Sequence, residues 1–176
     1  EFFNFNTKDI PVYIQDARVF AKNCSKKYDL IFIDLFHSSE TPDYLMTQEF
    51  FKDIKNCLTQ NGLVAMNSAH IQTDKKAVEL LQSTILSIFP NLMILKDDNN
   101  KIHNAINMAI FTSNKKFPEN LNVDLTDVPI YIKEQIRNVV KNRSDITTQD
   151  VKNISPATDD SNKIASVYAK TQMHIR

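Results

Sequence analysis

The sequence predicts an α/β fold with a doubly wound, mainly parallel sheet and a C-terminal antiparallel hairpin. Three observations predict it. Short apolar runs alternate with stretches of helical periodicity from residue 12 to residue 95. One run, residues 30–33 (LIFI), shows no polar alternation, the mark of a strand covered on both faces. Two late runs, 92–95 and 106–112, are separated by a polar turn around Asp97 and Lys101 and read as a hairpin.

The elements follow in order. Residues 12–15 are β-branched and aromatic and read as a short strand ending in Asp16. Residues 17–24 read as a short helix. The apolar strand 30–33 ends in a carboxylate, Asp34. Residues 46–60 form an amphipathic helix with Phe50, Ile54, Cys57 and Leu58 on one face and Thr47 placed to cap its start. Gly62 sits where a left-handed helix stop is wanted. Residues 63–66 are the next strand. Residues 75–89 are a helix with Ala77, Leu81, Ile85 and Ile88 in line, stopped by Pro90.

Residues 113–125 read as a linker. Pro129 stands where a first helical turn tolerates it, and Ile132, Ile136, Val139 and Val140 continue at helical spacing. Thr147 and Asp150 have the spacing of a capping box. The expected organisation is a sheet domain over residues 1–115 and a helical C-terminal extension over 116–176, packed on it or appended.

The totals narrow the function classes. In 176 residues, 21 Lys and Arg balance 21 Asp and Glu, so no net field recruits nucleic acid or an anionic membrane. No window holds the roughly 18 consecutive apolar residues of a membrane span. The opening EFFNFNTKDIP lacks the basic and apolar regions of a signal peptide. Cys24 and Cys57 make no metal spacing, and a reducing, cytoplasmic compartment is expected. The four histidines, His37, His70, His103 and His174, form no H-x-x-x-H pair, so no metal site is expected. Ser38 and Ser39 lack the glycines of a nucleophile elbow. The only glycine is Gly62, where average usage of about 7% gives about a dozen. That scarcity fits either a piece of a larger protein with its glycine-rich part upstream, or a proteome biased to Asn, Lys and Ile.

In an open parallel α/β sheet, ligands bind beyond the carboxyl ends of the strands. Three expected strands end in polar residues there: Gln15-Asp16, Asp34 and Asn67-Ser68. Asp34 serves either as a chemical group at that rim or as a cap on the following loop. Asp16 serves as a helix N-cap, as a ligand-binding acid, or as both. His37 lies in the loop after Asp34, and His70 near the rim.

The segment VYIQDARVFAKNCSKKYDLIFIDLFHSSETPDYLMTQEFFKDIKNCLTQNGLVAMN resembles the spermidine synthase (polyamine aminopropyltransferase) family. The matching features are Asp16-Ala17, Tyr28-Asp29 leading to Asp34, then Pro42, Leu45, Thr47, Glu49, Phe50 and Phe51, a helix, and N-G-L-V. Thr158-Asp159-Asp160-Ser161-Asn162 also resembles a T-D-D-x-N element of spermidine synthase-like proteins.

The resemblance implies a Rossmann-like fold of the S-adenosylmethionine-dependent methyltransferase type, of which this is the C-terminal part. It implies that Asp16 and Ala17 contact the adenine of the nucleoside, and that Asp34 is the catalytic strand-end acid. His37 and Tyr44 are assigned to the polyamine substrate. The co-substrate implied is decarboxylated S-adenosylmethionine, or S-adenosylmethionine itself, with no metal. The partners implied are a polyamine such as putrescine and a nucleoside sulfonium, and a homodimer. Typical members read D-S-S-D-P after the strand. Here the text is Asp34-Leu35-Phe36-His37, so His37 holds the second acid position, and Asp34-Leu35-Phe36 resembles a D-A-F subgroup of spermidine synthase-like proteins. The family's glycine-rich sulfonium loop and ribose-binding acid have no counterpart in these residues. Three readings therefore stand: aminopropyl transfer, methyl transfer from S-adenosylmethionine on the same fold, and a non-catalytic binding module lacking the cofactor loop.

Overall fold

In the computed structural model the described residues are 10–36, 41–71, 75–96 and 105–164. His37, His103, His174 and the expected turn at 97–101 lie outside them. The elements run α1 (Ala17–Lys22), β1 (Tyr28–Ile33), a 3-10 turn (Asp43–Leu45), α2 (Gln48–Cys57), β2 (Leu58–Ile71), α3 (Lys75–Leu86), β3 (Asn91–Lys96), β4 (Ala105–Ser113), α4 (Ile130–Lys141) and β5 (Arg143–Ile146). The α/β class expected from the alternating pattern is the class observed.

The strands form one sheet in the order β1-β2-β4-β3-β5. β1 pairs parallel to β2, with Ile33 opposite Met66. β4 runs antiparallel to both β2 and β3, so β1, β2 and β3 share one direction. The hairpin strand does not close the edge, as expected, but is inserted between β2 and β3. β5 then adds an antiparallel edge strand beside β3, an element the sequence reading did not contain. It fell within a polar stretch of only 4 residues, too short for a period-2 signal.

Two other boundaries differ from expectation. Residues 12–15 form no strand; Ile14 is 99% exposed, and no neighbouring ladder takes up their backbone groups. The helix that begins at Gln48 passes directly into β2, so Gly62 is a strand residue and not a helix stop. A methyl group there would stand 3.0 Å from the Tyr28 carbonyl oxygen and 2.9 Å from Leu58 Cδ2. The close strand approach favours glycine at this point. β2 also continues to Ile71, past the expected end at Asn67-Ser68, because β4 pairs with it as far as Ala105. His70 is consequently a strand residue, opposite Ile106.

The core lies on one face of the sheet. Thr47 caps α2, accepting from the Phe50 N–H at 3.4 Å. The helix then buries Phe50, Phe51, Ile54 and Cys57. α3 buries Ala77, Leu81 and Ile85. Alternate strand residues meet them: Ile33, Val64, Met66, Leu92, Ile94, Met108 and Ile110. Val151, Ala157 and Ile164 of the last described segment join the same cluster. The other face carries Leu63, Met93, Leu95 and Phe111, which with Ile132, Ile136 and Val140 of α4 line an apolar groove of about 570 Å³. Thr147 and Asp150 close a turn, the carboxylate accepting from the Thr147 N–H at 2.8 Å and its hydroxyl at 2.7 Å.

Candidate functional site

The parallel pairing of β1 with β2 decides where Asp34 lies. It follows the last registered pair, Ile33 with Met66, and so leaves the carboxyl edge of β1 beside Asn67. Asn67 Nδ2 donates to Asp34 Oδ1 at 3.0 Å. Asp34 is exposed, so its carboxylate is oriented by a neutral donor while still open to solvent.

Asp16 is built differently. One carboxylate oxygen caps α1, accepting from the N–H groups of Arg18 at 2.9 Å and Val19 at 3.2 Å. The other accepts from the Tyr44 hydroxyl at 2.7 Å. The Tyr44 bond, helped by the Val19 and Arg18 amides, holds the Asp16 carboxyl below the ordinary carboxylate range. The same bond raises the Tyr44 phenol above its usual value.

A groove of about 610 Å³ is lined by chain neighbours of both acids. Gln15 and Ala17 flank Asp16, and Ile33 and Leu35 flank Asp34. Tyr13, Phe20, Leu30 and Phe32 make it apolar, and the Tyr13 and Phe20 rings lie 5.3 Å apart. Ala17 thus reaches the groove directly. Asp16 and Asp34 stand beside lining residues, with their carboxylates turned to Tyr44 and Asn67. The hydroxyl of Tyr44, expected at the polyamine, is joined to Asp16, the acid expected at the adenine. His37 lies outside the described residues.

Sequence reasoning missed the hub behind Asp16. Arg18 Nη1 donates to the Tyr44 carbonyl at 2.6 Å and to Thr47 Oγ1 at 3.0 Å, and its Nη2 bonds Asp159. Thr47 donates to the other Asp159 oxygen at 2.8 Å, and the Asp159 N–H donates to Glu49 at 3.0 Å. Burial works against the Asp159 carboxylate, but the hydrogen bonds from Thr47 and Arg18 and the guanidinium charge outweigh it and hold its pKa below the ordinary value. The signals were an Arg directly after Asp-Ala and the T-D-D-x-N resemblance of residues 158–162, with nothing in the sequence to link the two.

Among the described residues, no group of three or more His, Cys, Asp or Glu is placed to hold a metal ion. No helix among them is long and apolar enough to cross a membrane.

A partial Rossmann-like α/β sheet with polar groups at its strand ends defines the class. The spermine/spermidine synthase domain model matches residues 2–96, just over half of the chain. The chain belongs to the spermine/spermidine synthase family. A probable polyamine aminopropyl transferase of Bifidobacterium longum is 30% identical over 104 residues, covering 58% of this chain and 23% of that protein. A polyamine aminopropyltransferase of Alkaliphilus metalliredigens is 25% identical over 155 residues, covering 73% and 53%. Among solved structures, a probable spermidine synthase from Corynebacterium glutamicum superposes with a TM-score of 0.62 at 17% identity, covering 84% of this chain and 53% of that one. A spermidine synthase in complex with the transition state analogue AdoDATO superposes at 0.52 and 15% identity, covering 74% and 53%. These likenesses show the fold. The chain spans from about a quarter to about half of the length of these relatives.

Proposed function

We propose that the whole protein is an aminopropyltransferase. It moves the aminopropyl group of decarboxylated S-adenosylmethionine to a polyamine such as putrescine. The observation that carries this reading is Asp34, at the carboxyl end of a parallel strand within the family match and oriented by Asn67.

The chemistry follows from the charges. The acceptor is an alkylammonium and must lose a proton before its nitrogen can attack. Asp34 accepts that proton and holds the amine in line. The new C–N bond forms at the carbon beside the sulfonium as the S–C bond breaks. The electron pair returns to sulfur, and a neutral thioether, methylthioadenosine, leaves. Positioning then supplies much of the acceleration. Asp16 and Ala17 bind the adenine, and His37 and Tyr44 are assigned to the acceptor. The homodimer belongs to the same proposal, on the family resemblance. So does a cytoplasmic setting, which the free thiols of Cys24 and Cys57 fit.

The open side of β1 supports completion of the nucleoside site by more polypeptide. β1 is an edge strand of the described sheet, with Leu30 57% and Phe32 65% exposed. A neighbouring strand and loop belonging to a longer protein would cover them and supply the sulfonium and ribose contacts. In that arrangement residues 1–115 are the C-terminal part of the sheet domain, and 116–176 are an extension of it. The test incubates the full-length protein with putrescine and decarboxylated S-adenosylmethionine. Spermidine and methylthioadenosine are expected; their absence removes the proposal. Asp34→Asn is expected to lose nearly all turnover and keep nucleoside binding, and Asp16→Ala to weaken nucleoside binding first.

A second reading is methyl transfer from S-adenosylmethionine. It is favoured by His37 at the place of the family's second acid, since a dicationic polyamine calls for carboxylates. A methylated product in the same assay would select it.

A further inference from the structure

The segment from Ala157 to Asn162 bonds α1, the 3-10 turn and the start of α2, the elements that surround Asp16. The Ala157 carbonyl accepts the Gln48 N–H at the start of α2 at 2.9 Å, while its own N–H donates to Thr84 at 2.9 Å. Asn162 Nδ2 donates to the Asp43 carbonyl at 2.8 Å, in the 3-10 turn that bears Tyr44. Between them Asp159 engages Thr47 with one oxygen and Arg18 with the other. Arg18 in turn fixes the Tyr44 carbonyl, and the Tyr44 hydroxyl fixes Asp16. A planar guanidinium forked across three acceptors is a geometric constraint that a point charge does not supply.

We propose that Asp159 is a positioning residue: through Arg18 it holds Tyr44, and through Tyr44 it holds Asp16, in the pose that receives the nucleoside. This rests on the aminopropyltransferase reading for the identity of the ligand. The coupling itself rests only on the hydrogen bonds. Arg18 is largely covered and Asp159 is half-exposed, so its value lies in orientation more than in ion-pair strength. A rim ordered before the ligand arrives spares the binding step the cost of ordering it. Removing the constraint therefore weakens nucleoside binding without touching the reacting groups.

The experiment uses the full-length protein with fluorotyrosine in place of tyrosine. The Tyr44 fluorine resonance is assigned by its loss in Tyr44→Phe. Asp159→Asn is expected to shift or broaden that resonance. It is also expected to raise the KM for the nucleoside roughly five- to tenfold, with kcat within about twofold. Asp159→Glu is expected to recover part of both effects. Asp160→Asn, the exposed neighbour, is expected to change neither. If Asp159→Asn does not fold, Arg18→Lys tests the same path, keeping the charge and losing the fork. An unmoved Tyr44 resonance overturns the proposal. So does a moved resonance with an unchanged nucleoside KM. Should the parent protein bind no methylthioadenosine by calorimetry, the enzyme reading fails, and the resonance alone still decides whether Asp159 governs Tyr44.

Discussion

Tyr44 donates its hydroxyl to Asp16 at 2.7 Å, across 28 residues of chain. The bond stabilises the ionised carboxylate and the protonated phenol together. Tyr44→Phe removes the largest cause of the lowered Asp16 pKa, so the Asp16 carboxyl should titrate higher, nearer the ordinary value. Carboxyl-detected NMR titration measures this. The sign of the stability effect follows from linkage. A depressed carboxylate pKa stabilises the fold above the ordinary carboxylate range, and that contribution is lost as pH falls through the folded-state value. The Tyr44 phenol, raised, contributes below its ordinary value and loses that contribution as pH rises through its folded-state value.

Thr47 is 1% exposed and meets three partners: the Phe50 amide, Arg18 and Asp159. Thr47→Ala removes the cap of α2 and strands part of the Arg18 fork. A loss of about 1–2 kcal/mol is expected in urea unfolding. Thr47→Ser keeps the hydroxyl and should recover most of it.

Gly62→Ala places a methyl group against the rigid Tyr28 carbonyl as well as the mobile Leu58 side chain. Leu58 Cδ2 can turn away, but Leu58 Cβ, at 3.1 Å, is fixed to its own backbone, and the β1 backbone cannot retreat without loosening its parallel pairing with β2. The expected cost is about 1–3 kcal/mol, read from the same urea curves. A change below about 0.5 kcal/mol would mean that the two strands separate more easily than this packing implies.

Burial, with the neighbouring Cys24 thiol, pushes the Cys57 pKa up to about 12. Cys57 is buried, and its thiol faces the Ala21 carbonyl at 3.4 Å. Iodoacetamide at about pH 8 should therefore label Cys24 in the folded protein and Cys57 only after unfolding. Mass spectrometry of the two peptides over a urea series reports both steps.

Much of the fold was legible because its signals are local. The helical spacing of Phe50, Ile54 and Cys57, the cap at Thr47 and the apolar run ending in Asp34 each lie within a few residues. The hairpin of β3 and β4 was legible for the same reason. What stayed hidden was set by partners far away in sequence. Residues 12–15 look like a strand by side-chain type, but no ladder pairs with them. Gly62 reads as a helix stop until β1 is known to pass within contact distance. The site shows the same division. Asp16 and Asp34 stood out at the ends of patterns, and Ala17 beside them. The tie from Arg18 to Asp159 spans 141 residues and leaves no periodic trace.

The placement of β4 has a consequence for synthesis. β2 is made before its neighbour on the β4 side exists, and that permanent partner is the later arm of a hairpin. Until residue 113 leaves the ribosome, a 14-residue strand presents one raw flank with nothing native to bond. The hairpin can zip locally and then dock as a finished unit. A nascent chain halted between β3 and β4 should therefore be the species that chaperones seize and that proteases cut.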